Sequence, residues 1–144
     1  MDLHEYMQFC QTQRYQWGKF DCCTYAAGAI QVLTGVDCME GVTPYSDETS
    51  AAISLLDSFG TANVRDVFLQ IAHKHGAKQI LDGEARKDGD ICCVKWPIRR
   101  NKKTVDQSVG LAVYYQNSVF ACSLVGVARA LPPLIVLDYW RFPK

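Results

Sequence analysis

Residues 17–24 read W-G-K-F-D-C-C-T, with an aromatic residue, a glycine and an aspartate just before two adjacent cysteines. Asp21 is a favoured helix N-cap and Gly35 a favoured stop, so this stretch predicts a helix from Asp21 to Thr34. Cys22 would then lie in the first helical turn. A thiol there is either a nucleophile primed by the helix dipole or a small core residue behind a capping aspartate, and the sequence allows both.

Length and composition predict one globular domain over residues 1–144, since 49% of the residues are hydrophobic and 21% are charged. The 15 basic and 15 acidic residues cancel, so we expect no nucleic-acid partner. The basic cluster at 99–103 is predicted to be a solvated loop. The first residues do not resemble a secretory signal, and no apolar run is long enough to span a bilayer. We therefore expect synthesis in a cytoplasm and no membrane span.

Cysteine is unusually frequent, with seven residues in 144. No C-x-x-C spacing occurs, which argues against a zinc ribbon or a redox dithiol, and we expect no metal and no cofactor. Without a secretory signal, reduced and mostly buried thiols are predicted. The cysteines are Cys10, Cys22, Cys23, Cys38, Cys92, Cys93 and Cys122.

The order of secondary structure predicts an α+β domain. Apolar residues at helical spacing, together with capping residues, predict helices in a first half, residues 1–76. Residues 89–142 form a second half, rich in β-branched and aromatic residues between turn signals, which predicts an antiparallel sheet. The helices are predicted at 2–14, 21–34, 48–59 and 63–75, and the strands at 91–96, 108–115, 118–123, 125–130 and 134–142.

The ordered set of short motifs is similar to one known family. The chain resembles the NlpC-type cell-wall peptidases, a branch of the papain-like cysteine hydrolases. More narrowly, it resembles small phage- and prophage-encoded proteins of that fold that lie among tail genes. The motifs that carry the resemblance are Trp17-Gly18, Asp21-Cys22, Gly35-Val36-Asp37, Gly89-Asp90, Val109-Gly110-Leu111 and Tyr139-Trp140-Arg141.

The resemblance implies that Cys22 is the nucleophile, but it also exposes a departure from the catalytic pattern. The family carries a histidine in the motif H-V-G, where this chain has S-V-G with Ser108 in the place of the histidine. The third polar residue of the family would fall at Ala121. A serine cannot take the thiol proton near neutral pH or return one to a leaving amine.

For the residues near Cys22 and for the histidines, a purely structural role is the alternative to a role in binding or catalysis. Trp17, Gly18 and Asp21 are candidate binding residues beside Cys22. Trp17 could equally be a packing aromatic, and Asp21 is better explained as a helix cap than as an acid catalyst. The three histidines (His4, His73 and His75) lie in predicted helices that do not supply the base in the family, so we expect them at helix surfaces or ends.

Two functions from different classes follow. The first is a structural or assembly protein of a phage tail or tail tip, with a papain-like fold, located in the virion and without activity because Cys22 lacks its histidine. Its partners would be other phage tail proteins. The alternative is an active cysteine hydrolase that cleaves peptidoglycan peptides with Cys22. A thiol-based redox or metal protein rests only on the number of cysteines.

Overall fold

A computed structural model of the chain describes residues 1–101 and 103–144, without the side chains of residues 99, 100 and 104–107. Four helices come first in this part of the chain and six strands follow, so the predicted α+β class with an antiparallel sheet is confirmed. The helices are α1 (Leu3–Gln11), α2 (Cys22–Thr34), α3 (Glu48–Phe59) and α4 (Val64–Lys74). The strands are β1 (Lys78–Ile80), β2 (Ile91–Arg100), β3 (Lys103–Tyr115), β4 (Ser118–Ser123), β5 (Gly126–Arg129) and β6 (Ile135–Arg141).

Side-chain caps fix the start of every helix. Asp2, Asp21 and Asp47 each accept a hydrogen bond from the backbone N–H three residues on, and Asn63 does the same for α4. Helix α1 ends earlier than predicted because the N–H of Thr12 bonds to the carbonyl of Phe9, which tightens the last turn. None of these helices has the length and the apolar character that crossing a membrane requires, a statement that covers the described residues alone.

The six strands form one antiparallel sheet in the order β1-β6-β2-β3-β4-β5. Gln116 and Asn117 form the turn between β3 and β4, and both adopt positive φ angles, +48° and +60°, as a tight hairpin requires. Strand β1 was not predicted. It has three residues at the sheet edge, too few to show an alternating pattern, and its pairing with β6 depends on residues 60 positions away.

Strands β2 and β3 are longer than predicted and extend into the basic cluster. Arg99 and Arg100 belong to β2, and Lys103 begins β3, so the solvated loop predicted there is wrong for these three residues. Lys102, the remaining basic residue, lies outside the described residues. The ladder pairs Arg100 with Lys103 through backbone groups, which is possible whatever the charge of the side chains.

Both faces of the sheet are covered. One face packs on the helices and forms the main core, in which Tyr25, Phe68 and Trp140 are buried. The other face carries a smaller cluster with Val94 and Ala112 at its centre. The adjacent residues Cys92 and Cys93 are both fully buried on opposite faces, since side chains alternate along a strand. This explains why two neighbouring thiols do not pair with each other.

A buried ion pair ties the entry of β2 to the last strand. The Asp90 side chain is 1% exposed and accepts hydrogen bonds from Arg141 Nε at 2.8 Å and Nη2 at 2.8 Å. It also accepts one from the backbone N–H of Lys87 at 2.9 Å, which closes the turn before β2. Asp90 therefore fixes the turn that leads into the sheet.

We expect Asp90→Ala to lower the free energy of unfolding by about 2–3 kcal/mol, because it leaves the Arg141 guanidinium and a turn N–H without their partner. Urea denaturation followed by circular dichroism measures this loss. The control is Lys78→Ala, which removes an exposed contact with Glu84 at 3.4 Å and should cost less than about 0.5 kcal/mol. Equal losses in the two variants would contradict the structural role assigned to Asp90.

Candidate functional site

A cavity of about 330 Å³ lies between the start of α2, the start of α3 and the strands β2 to β4. Four of the five residues singled out from the sequence line it together: Trp17, Asp21, Cys22 and Ser108. The fifth, Gly18, is not part of the lining but contacts Asp21 behind it. Two larger cavities, of about 490 and 570 Å³, lie elsewhere and do not contain Cys22.

Asp21 organises the chain around Cys22. Its side chain is 1% exposed and accepts three hydrogen bonds, from the N–H of Thr24 and the N–H of Gly18, both at 2.9 Å, and from the Tyr45 hydroxyl at 2.6 Å. The bond from Thr24 is the helix cap. The bonds from Gly18 and Tyr45 tie the loop before α2 and the loop before α3 to the Asp21 carboxylate. Burial, together with this bond to Asp21, raises the pKa of Tyr45 well above its usual range.

Gly18 has a steric role. Its φ angle is +81°, and a Cβ atom at this position would lie 1.8 Å from the carbonyl oxygen of Tyr45. Only glycine tolerates both the backbone conformation and the close approach of the second loop. The W-G pair therefore brings Trp17 to the cavity while allowing Tyr45 to reach Asp21.

Cys22 is the first residue of α2 and is half-buried. The neighbouring Cys23 thiol lowers the pKa of Cys22 most, and the polar backbone groups of Leu111 and Cys23 lower it further. Burial and the Asp21 carboxylate act in the opposite direction without reversing the shift. The pKa of Cys23 is correspondingly raised, because its thiol keeps the proton that it shares with the Cys22 thiolate.

The three histidines lie away from this thiol. His4 pairs with the Tyr115 hydroxyl at α1, and the ring of His73 lies 6.4 Å from that of Trp140. His75 forms the C-cap of α4. All three belong to the described residues, and none of them lines the cavity of Cys22.

Trp96 forms a wall of the cavity that sequence reasoning did not assign to the site. It lies directly opposite Ser108 in the ladder between β2 and β3. Its ring extends over Gly110, where an added Cβ atom would come within 2.9 Å of the indole. Only the pairing of β2 with β3 reveals that Trp96 lies beside Ser108, since no short sequence motif contains both residues. Tyr45 was missed for a similar reason, because its contact with Asp21 spans 24 positions.

Ala121, the residue expected at the third catalytic position, does not line the cavity. Ala121 packs in the smaller cluster, beside Cys92 and Ala112. Cys122, one position later in β4, points toward the helices and lines the cavity. Of these two neighbours, Cys122 therefore contributes to the cavity wall, since adjacent side chains in a strand point to opposite faces.

Comparison with known protein families matches residues 1–142 to DUF6950, described as a domain of unknown function. The chain belongs to this family. No curated protein and no solved structure matches the chain.

In this DUF6950 domain, the described residues include no group of three or more histidine, cysteine, aspartate or glutamate side chains placed to hold a metal ion. The nucleophilic side chains that line the cavity include the thiols of Cys22, Cys23 and Cys122. Backbone N–H groups at a helix start stabilise a thiolate and a developing oxyanion. The other lining groups include the Tyr15 phenol, whose pKa burial raises well above its usual range, and the carboxylate of Glu48.

In the DUF6950 domain, we expect Asp21→Asn to affect stability and reactivity in opposite directions. The amide cannot accept all three hydrogen bonds, so the free energy of unfolding should fall by about 1–2 kcal/mol. The carboxylate charge raises the pKa of Cys22, so its removal should lower that pKa further and speed alkylation of Cys22 by iodoacetamide at pH 6 severalfold. Mass spectrometry of the labelled peptide measures the rate.

Tyr45→Phe is the matched control for this prediction. It removes one hydrogen bond to Asp21 but leaves the carboxylate charge in place. Stability should fall by about 1 kcal/mol while the labelling rate stays unchanged. Slower labelling in Asp21→Asn than in the wild type would contradict the electrostatic role of Asp21.

Proposed function

We propose that the chain is a structural or assembly protein of a phage tail, made in the host cytoplasm and located in the virion, with a papain-like fold of the NlpC type and no peptidase activity. The resemblance of the ordered motifs supports the phage origin. One observation carries the lack of activity: the Cys22 thiol shares its cavity with Ser108, and none of the three histidines lines that cavity.

The arrangement of the elements is compatible with the proposed fold. A thiol at the start of α2 packs on an antiparallel sheet, as in a papain-like domain. The strand that carries S-V-G passes beside this thiol, since Val109 and Gly110 line the same cavity as Cys22. Ser108, three residues earlier in the same strand, lines the same cavity.

Peptide hydrolysis requires more than a thiolate. The leaving amine must receive a proton, and a positioned acid such as an imidazolium contributes about 10²–10⁴-fold to the rate. A serine hydroxyl gives no comparable donor near neutral pH. The thiolate can attack a carbonyl, but the intermediate then returns to the starting peptide faster than it expels an amine. This is the physical reason for proposing an inactive domain.

An exposed apolar turn beside the cavity supports a protein partner. Leu124 and Val125 connect β4 to β5 and are 73% and 93% exposed. Leu124 also lines the Cys22 cavity. Two large aliphatic side chains at a hairpin turn are costly to leave in water, and such residues commonly mark a contact with another protein. We propose another tail protein as that partner.

A second candidate function is an active cysteine hydrolase that cleaves peptidoglycan peptides. The N–H donors of Leu111 and Cys23 and the lowered pKa of Cys22 favour it. In this case another group of the cavity, such as Glu48 or Tyr15, would have to protonate the leaving amine. Trp17 and Trp96 would form the walls of the peptide groove.

The two functions differ in the turnover of muropeptides. We expect the purified protein to release no product from soluble muropeptides over hours at pH 6–8, because Cys22 lacks an acid partner. Chromatography with mass detection measures the products, and an active NlpC-type peptidase is the positive control. Cleavage that disappears in Cys22→Ala would overturn the inactive domain and establish the hydrolase.

The tail assignment is tested in the phage or prophage that encodes the chain. Deletion of the coding sequence should give particles with absent or defective tails, as seen by negative-stain electron microscopy. Cys22→Ala should leave tail assembly intact, while Leu124→Asp with Val125→Asp should reduce it, because charges at this turn disfavour an apolar contact. Normal, infectious particles after deletion would exclude the proposed structural role.

A further inference from the structure

Three of the seven thiols line the same cavity. They are Cys22 and Cys23 at the start of α2 and Cys122 in β4. The other four cysteines (Cys10, Cys38, Cys92 and Cys93) are not part of this lining and are buried elsewhere. The three thiols therefore share one volume of about 330 Å³ that a small molecule can occupy.

The packing of α2 on β4 places Cys22 and Cys122 on the lining of one cavity. The Tyr25 hydroxyl donates to the carbonyl of Phe120 at 2.9 Å, which anchors the helix to the strand. Cys22 lies one turn before Tyr25, a displacement of about 4.5 Å along the helix. Cys122 lies two residues after Phe120, about 6.6 Å along the strand and on the same face. Both steps lead into the cavity that the two thiols line.

We propose that Cys22 and Cys122 form a peroxide-sensitive dithiol, in which a hydroperoxide in the cavity oxidises Cys22 and Cys122 then closes a disulfide between α2 and β4. This modification goes beyond the proposed tail function and does not depend on it. It uses the thiolate that the helix start stabilises, and it needs no imidazole.

The reaction balances in two steps. The Cys22 thiolate attacks one oxygen of the hydroperoxide, the O–O bond breaks and an S–O bond forms; the expelled alkoxide or hydroxide takes a proton from water. The product is a sulfenic acid on Cys22, oxidised by two electrons, and an alcohol or water. The Cys122 sulfur then attacks the Cys22 sulfur, an S–S bond forms, the S–O bond breaks, and the hydroxyl leaves as water with the Cys122 proton.

The leaving group explains why this chemistry is possible where peptide hydrolysis is not. The O–O bond is weak, and an alkoxide or hydroxide departs without prior protonation, whereas an amine does not. The reactive form is the thiolate, which the N–H groups of Leu111 and Cys23 and the Cys23 thiol favour. The same cavity thus discriminates between electrophiles by the basicity of the group that they expel.

Cys122 is suited to the second step. Burial and the charge on Cys22 raise the pKa of Cys122 to about 12, so Cys122 stays a thiol while Cys22 is a thiolate. Oxidation of Cys22 to a neutral sulfenic acid removes that charge, which makes the Cys122 thiolate easier to form at that stage. Because the charge on Cys22 raises the pKa of Cys122, the oxidation of Cys22 comes first and the attack by Cys122 second.

Cys23 is a poorer partner for Cys22 despite being adjacent. Consecutive Cα atoms are about 3.8 Å apart, shorter than the separation of about 4.4–6.8 Å that disulfides usually bridge. A bond between them would also distort the first turn of α2, which the Asp21 cap holds by a 2.9 Å bond to the Thr24 N–H. Cys122 lies on a separate element, so the Cα separation of consecutive residues does not apply to it.

The test is oxidation of the reduced, full-length protein with hydrogen peroxide at one to five equivalents. We expect a mass loss of about 2 Da, because a disulfide removes two hydrogens. Trypsin should release peptide 20–65 linked to peptide 104–129, and the only cysteine in the second peptide is Cys122. Cys23→Ala and Cys38→Ala should retain this link, which assigns it to Cys22.

Cys122→Ala should lose the link and accumulate a sulfenic acid on Cys22 that dimedone traps. Cys22→Ala should form neither product, and near-UV circular dichroism shows whether each variant is folded. The proposal is overturned if the wild type forms no link between these peptides, if the link persists in Cys22→Ala, or if it disappears only in Cys23→Ala or Cys38→Ala. This readout uses neither muropeptide turnover nor tail assembly, so its result is independent of the proposed tail function.

Discussion

The structure around Cys22 depends on one buried carboxylate. Asp21 receives hydrogen bonds from the helix that follows it, from the loop that precedes it and from Tyr45 in a distant loop. A charge that is only 1% exposed is stable there because three donors and the positive end of α2 compensate for its lost hydration. Without this anchor, nothing among these contacts would keep Trp17 and Tyr45 on the same side of the cavity as the thiol.

The same carboxylate limits the thiol that it positions. Its charge raises the pKa of Cys22, while the Cys23 thiol and two backbone N–H groups lower it. The donors win, so the thiolate is favoured even though a negative charge is one residue away. Position and activation are thus separate contributions. Asp21 fixes where the sulfur lies, and the Cys23 thiol, with smaller contributions from the backbone of Leu111 and Cys23, favours its thiolate form. An imidazole would add a proton donor to this arrangement, and the lining residues do not provide one.

Sequence reasoning found what is encoded locally and missed what depends on pairing. The cap Asp21 and the stop at Gly35 are local signals, and each was predicted because a single residue type satisfies the backbone there. The placement of Cys122 rather than Ala121 in the cavity depends on strand register, which no single strand reveals. The contact of Tyr45 with Asp21 and the wall formed by Trp96 likewise require the folded chain.

The cysteines illustrate how the fold gives one residue type different chemistry. In the sheet, alternation separates Cys92 from Cys93, and burial raises the pKa of both, so they behave as small apolar side chains. At the start of α2, the adjacent pair Cys22 and Cys23 shares one proton instead, because helical geometry places the second thiol beside the first sulfur. On the function that we propose, a thiolate held in this way reacts with electrophiles whose leaving group departs unprotonated. The absence of a histidine from the cavity lining would then change the range of electrophiles that react rather than remove the nucleophile itself.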